Sequence, residues 1–443
     1  MLKRLLLALS TALAVTPVAA PPAAAQPAPA APLDAAARQA VVAQLGAALR
    51  ERYVFPDIGA QAAAKIDAAL AAGEYDSLSE PWAFAARLND DIAAIARDKH
   101  LRVGAPGGPP PTDGPPPGPP PKAEAGVVRA DKLAGDIGYI EVTSFPPPAM
   151  FKPVLDRAMA GLAGSKALII DMRRNGGGSP PAVAYLVSYL LAADERVHIN
   201  TIVSRTAGTG ELTREDFHSE PTPVSFTGVP VYVLTSSRTF SGGEEFAYDV
   251  KALELATLVG ELTGGGANPT GGVPLPNGLQ ASIPFGRAEN PVTKGNWEGH
   301  GVDPDVAAPA ADALGVALER LGHAPVADIA AASTERVFAP RAVPLDGTEG
   351  ALRGVIAGLA AGNPDYDSMV PEFAEVTRQQ LPQLQGLMAR MGELKSLTFN
   401  APFAMGGDAY DAVFTGGALT MGVALGPDGK IAGVGIMGPP PPS

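Results

Sequence analysis

The chain has no cysteine among its 443 residues. That absence removes thiol nucleophiles, disulfides, thiolate zinc sites and iron–sulfur clusters together. Charged side chains are sparse at 18% and aromatics at 6%, and acid outweighs base to leave −13 at pH 7. Such a balance argues against a non-specific nucleic-acid binder, which needs a basic face to displace counterions. After the first 25 residues, no apolar run approaches the roughly 18 residues of a spanning helix, so no transmembrane segment is expected. Also missing are HExxH, a P-loop, an EF-hand loop and a GxSxG elbow. What the chain does have is a 46% apolar fraction, 51 Gly and 46 Pro. This suits a globular protein of two or three folded units, with proline gathered in tracts.

The opening Met1-Leu2-Lys3-Arg4, the apolar run over 5–15 and the small residues up to Ala25 read as a signal peptide over 1–25. The expected location is a bacterial periplasm or the exterior. Without disulfides, a protein there depends on the size of its core. Residues 26–32 form a Pro/Ala spacer. Over 33–104 the pattern is helical: Val41, Val42, Leu45 and Leu49 recur at helix spacing before Pro56 forces a break, and further helical runs cover 60–71 and 81–95. Residues 105–126 are a Pro/Gly-rich linker, and over 105–122 polyproline stiffness keeps the chain out of a core.

From 127 to 323 the texture changes. Apolar strands over 137–142, 167–171, 229–234 and 280–284 alternate with helices over 150–163, 182–192 and 244–256. Near-continuous apolar strands separated by helices imply a sheet covered on both faces. A connector follows over 324–346. The unit over 347–437 offers helices near 352–359 and 377–391, then four alternating segments with an Asp428-Gly429 hairpin turn. Residues 438–443 are a tail. The expected architecture is an α/β core preceded by a helical N-terminal domain and followed by a small α+β domain.

Three segments fall after strands, where open α/β sheets bind ligands. Asp171-Met172-Arg173-Arg174-Asn175-Gly176-Gly177-Gly178 can turn its amides outward as an anion site or serve as a tight turn. Thr239-Phe240-Ser241-Gly242-Gly243-Glu244 opens a helix. There Ser241 is a nucleophile candidate on a helix dipole, or the cap of a Ser-x-x-Glu box. Glu298 and His300 lie in a glycine-rich turn. A serine nucleophile needs a base, and the pattern leaves both His100 and His300 open. The glycines over 264–272 lack the strand–GxGxxG–helix order of a dinucleotide site.

Tyr53-Val54-Phe55-Pro56, Asp98-Lys99-His100-Leu101, the Asn175-Gly176-Gly177-Gly178 loop, Thr239-Phe240-Ser241-Gly242-Gly243-Glu244 and Trp297-Glu298-Gly299-x-Gly301-Val302-x-Pro304-Asp305 occur in one order. In this the chain resembles the serine peptidase family of the C-terminal processing proteases, tricorn protease and interphotoreceptor retinoid-binding protein, above all its retinoid-binding-protein-like branch. The resemblance spans about 33–323. It implies Ser241 as nucleophile and an oxyanion hole from the amides of Gly242 and of Gly176 or Gly177. The processing-protease branch takes its base from a lysine about 25 residues after the serine, where this chain has Gly266. The tricorn-like branch uses a histidine matching His100 and a glutamate matching Glu298, with a serine where this chain has Lys99. No PDZ insertion is present. The resemblance implies a polypeptide substrate, acyl-enzyme chemistry and no metal or organic cofactor. The alternative it carries is a binding protein for an apolar ligand or peptide. The C-terminal unit resembles small nuclear-transport-factor-like domains.

Overall fold

A computed structural model describes residues 32–105, 122–192, 195–326, 328–403, 406–426 and 428–437. The expected signal peptide, nearly all of the spacer and of the Pro-rich tract, and the tail lie outside the described residues.

Three helices open the structure: α1 (Ala35–Arg52), α2 (Pro56–Ala71) and α3 (Pro81–Ala93), followed by the short strand β1 (Arg102–Gly104). Asp34 caps α1 by accepting the Ala37 amide at 2.7 Å. Both α2 and α3 start on proline, whose missing N–H costs nothing in a first helical turn. Apolar residues at helix spacing, Val41, Leu45, Leu49, Ile66, Phe84 and Leu88, close a buried cluster.

The next unit runs β2 (Val127–Leu133), β3 (Ile137–Val142), α4 (Pro148–Gly161), β4 (Ala167–Asp171), α5 (Pro180–Ser188), β5 (His198–Arg205), β6 (Leu212–His218), β7 (Val231–Thr235) and α6 (Gly242–Ala252). It continues with β8 (Thr257–Gly260), β9 (Thr270–Pro274), β10 (Gln280–Pro284), β11 (Gly286–Glu289), β12 (Val306–Ala307), α7 (Ala313–Arg320), α8 (Ile329–Ala332) and β13 (Ser333–Phe338). Seven strands form one sheet in the order β12-β8-β7-β4-β3-β2-β13, parallel from β12 to β3 and antiparallel at β2 and β13. Successive side chains of a strand face opposite ways, and both faces are covered. Leu168 and Ile170 pack into the cluster containing α4, α5 and α6. Ala167 and Ile169 pack with Leu314, Ala317 and Leu318 of α7. Residues 333–338, expected within a connector, instead add the edge strand β13 to this sheet.

Two smaller sheets flank it, β1-β10-β9 and β11-β5-β6. The first positions the site. Val103 pairs with Ala281, and Val273, Leu275, Leu279, Ala281 and Ile283 of the β9–β10 hairpin complete the hydrophobic cluster of the N-terminal helices. The helical domain and the hairpin therefore share one core.

The last unit has α9 (Thr348–Ala361), α10 (Pro371–Met391) and the four-stranded antiparallel sheet β14 (Leu394–Pro402), β15 (Asp408–Phe414), β16 (Gly417–Leu425) and β17 (Ile431–Ile436) in sequence order. Arg341 joins it to the core: its guanidinium pairs with Asp408, and its amide donates to Glu124 at 3.1 Å. Among the described residues, no helix is long and apolar enough to cross a membrane.

Candidate active site

Strand β7 ends in a turn that delivers Ser241 to the mouth of α6. Thr239 anchors that turn, donating its hydroxyl to the Met172 carbonyl at 2.8 Å. Ser241 has φ 55° and ψ −122°, a left-handed backbone that a serine rarely adopts. Strain of this kind is held in place only by its surroundings, and here the holder is Glu244. Its buried carboxylate accepts the Ser241 amide at 2.9 Å, the Gly266 amide at 2.9 Å, and the Gly265 amide and Thr263 hydroxyl at 2.5 Å each. Burial raises the Glu244 pKa even against these four donors.

The glycine loop after β4 packs directly on this turn. Asn175, fully buried, donates to the Val142 carbonyl at 3.1 Å, and its carbonyl accepts the Phe240 amide at 3.0 Å. A methyl group added to Gly177 (φ 103°) would lie 2.6 Å from Ser241 Cβ, 3.0 Å from its Oγ and 2.8 Å from the Gly242 nitrogen. The amides here divide clearly. Gly176 donates to the Thr143 carbonyl at 3.1 Å and Gly177 to Asn175 Oδ1 at 2.8 Å. The expectation that Gly176 or Gly177 supplies the second oxyanion donor therefore needs correction, because both hydrogens are already engaged. Among the described residues, Gly178 and Gly242 are the glycines here whose amides have no acceptor, and both line one cavity of about 250 Å³ with Ser241 and His100. A Cβ on Gly242 would come 2.9 Å from the Gly178 nitrogen, so the two amides are neighbours.

His100 reaches this cavity from the N-terminal domain, between α3 and β1. Its ring lies against Phe240 with centroids 4.6 Å apart. Burial lowers its pKa below 6.5, with Asp98 opposing and Arg102 assisting the shift. Its Nδ1 is enclosed without a hydrogen-bond partner. One ring nitrogen lies within 4.8 Å of carboxylate oxygens of Asp98 and Glu298, the group among the described residues that could hold a metal ion. Asp98 is fixed by Tyr53 Oη at 3.1 Å and Asn268 Nδ2 at 2.8 Å, and accepts the His100 amide at 3.0 Å. Lys99 turns outward and its ammonium donates to the Gly264 carbonyl. His300 stands apart, exposed and paired with Asp303 at 2.8 Å.

Glu298 accepts the Ala267 amide at 2.6 Å, while its Oε1 is buried without a donor. Burial, then repulsion from Asp98, raises its pKa to about 7. A carboxyl whose folded-state pKa is raised destabilises the fold as pH climbs from its unfolded value through the folded one. Glu298→Gln is therefore expected to melt a few degrees above wild type at pH 8, with no difference near pH 4. Calorimetry at the two pH values checks this; a variant less stable at pH 8 would contradict it.

Residues 136–308 match the model of peptidase family S41, and residues 35–127 match the N-terminal domain of peptidase S41 in eukaryotic IRBP. The chain carries a peptidase family S41 domain. Tricorn protease of Thermoplasma volcanium is 30% identical over 179 residues, which are 40% of this chain and 15% of that protein. The chain thus spans about 15% of that relative's length. Among solved structures, the photosystem II D1 C-terminal processing protease is 16% identical, covering 62% of this chain and 94% of its own, with a TM-score of 0.41. A tricorn protease structure is 16% identical, covering 67% of this chain and 36% of that chain, with a TM-score of 0.39. Neither family model extends past residue 308, so the C-terminal α+β unit is described by its own structure alone.

One cavity thus gathers Ser241 and Gly242 of the S41 domain with His100 of the N-terminal domain, and Glu298 stands beside the imidazole. Sequence reasoning missed Gly178, whose place in a triple glycine was visible. It also missed Asp98, two residues before His100, and Asn268, which lies far along the chain.

Proposed function

We propose that the protein is an exported serine peptidase that cleaves polypeptides through an acyl-enzyme. The observation that carries this reading is the single cavity shared by Ser241, His100 and the acceptor-free amides of Gly178 and Gly242. His100 takes the Ser241 proton as Oγ bonds to a peptide carbonyl. The Gly178 and Gly242 amides stabilise the resulting oxyanion, each donor typically contributing about 3–4 kcal/mol to the barrier. The imidazolium then protonates the leaving amine, and water, giving a proton back to His100, releases the acyl group. Carboxylate oxygens of Asp98 and Glu298 lie within 4.8 Å of one imidazole nitrogen, and the charge of Asp98 favours the imidazolium as it forms. No step requires a metal. Export rests on the N-terminal sequence pattern, and the C-terminal unit is assigned to binding or docking.

A fluorophosphonate probe is expected to label wild type and to leave Ser241→Ala unlabelled, with labelling unaffected by EDTA. Equal labelling of the variant would defeat the proposal. An unlabelled wild type that binds an apolar ligand at micromolar concentration would favour the carrier reading instead.

A further inference from the structure

The lining of the same cavity contains a group that the mechanism does not use. Its apolar surface comes from Pro180, Ile202, Pro269 and Trp297, and one acid, Glu245, interrupts it. Glu245 lies in the first turn of α6 and is only 4% exposed. It accepts the Asn200 amide at 2.9 Å. One helical turn further, fully buried Asp249 accepts the Asn290 amide at 2.9 Å. Among the described residues, neither carboxyl has a cationic partner. Such a pair is costly to bury without one.

The shortage is one of donors. Asn200 Oδ1 and Asp249 Oδ2 are both enclosed with none. Burial raises both carboxyls, Glu245 to about 7 and Asp249, with repulsion from Glu245 added, well above the usual carboxyl range. The pair therefore holds on to a proton near neutral pH, and a cation arriving at Glu245 would draw out its negative charge. Neither Asn200 nor Asp249 lines the cavity; Glu245 is the acid that does, and a positive head on an apolar stem, as in a lysine or arginine side chain, would offset the charge of the buried pair there.

We propose that Glu245 is the specificity-determining residue of the substrate side-chain pocket, selecting lysine or arginine on the acyl side of the cleaved bond. The placement follows from the cavity: a carbonyl held at the Gly178 and Gly242 amides hangs its own side chain into the same space. This inference rests on the serine-peptidase reading, and the two fail separately. A fluorophosphonate without a side chain reports on Ser241 alone; if it leaves wild type unlabelled, the peptidase reading falls.

The pocket is then read with two diphenyl phosphonates, one bearing a lysine side chain and one leucine. The lysine probe is expected to inactivate wild type roughly 30-fold faster or more, the scale set by losing one partner of a buried charge pair. In Glu245→Gln the ratio should fall to near unity, and in Glu245→Asp it should stay above unity. A leucine-preferring wild type overturns the proposal whether or not the variants fold, as does an unchanged ratio in Glu245→Gln.

Discussion

His100→Ala is expected to lower kcat/KM on a peptide substrate by roughly 10⁴ or more, the scale at which removing one member of a serine–base pair leaves only the oxyanion site and binding. The imidazole adjoins a cavity of about 250 Å³, so the truncation enlarges an existing space and leaves the helices' shared core untouched. Added imidazole should restore part of the lost rate. The pH profile separates a base from a mere filler. Burial disfavours the imidazolium and puts the His100 pKa below 6.5. The wild-type rate should therefore fall only at pH values below that, as the neutral base is protonated, and this acid limb should vanish in the variant. A loss under tenfold, or an acid limb that persists, would remove His100 from the mechanism.

Gly177→Ala carries the second large effect. The new methyl would sit 2.6 Å from Ser241 Cβ and 2.8 Å from the Gly242 nitrogen, on a backbone with φ 103°. Neither neighbour is the loose end of a flexible side chain. Relief must come from moving the nucleophile or an oxyanion amide, and a displaced donor alone costs roughly 10²–10³ in kcat. Gly176→Ala is the control: nothing lies within 4 Å of its methyl position, and its φ is not positive. It should retain activity within about threefold in assays read beside Gly177→Ala, a difference far below one lost donor. Comparable losses in both variants would mean that the loop acts through general flexibility rather than through contact with Ser241.

The contrast between these glycines also marks how far the sequence could be read. Three glycines after an apolar strand announced an amide-rich loop. The choice among them depends on the Thr143 carbonyl and the Asn175 side chain, which consume two of the hydrogens, and spacing along the chain does not encode that. The core strands were legible because burial on both faces makes them continuous apolar runs. The β5–β6 hairpin was not, since five residues at the start of β6 are exposed and polar residues dominate it. Strand β13 was equally hidden, its STERVF sequence pairing by backbone at the sheet edge. The Ser241-x-x-Glu244 box looked like a choice between cap and catalyst. In three dimensions the Glu244 carboxylate also gathers the amides of Gly265 and Gly266, a role invisible without the fold.

The hydrophobic core that the N-terminal helices share with the β9–β10 hairpin gives the protein an interlock. A core unit without residues 32–105 would uncover Val273, Leu275, Leu279, Ala281 and Ile283 of the hairpin and would carry Ser241 without His100 beside it. The cavity that joins Ser241 to His100 is therefore complete only once two distant stretches of the chain have packed together.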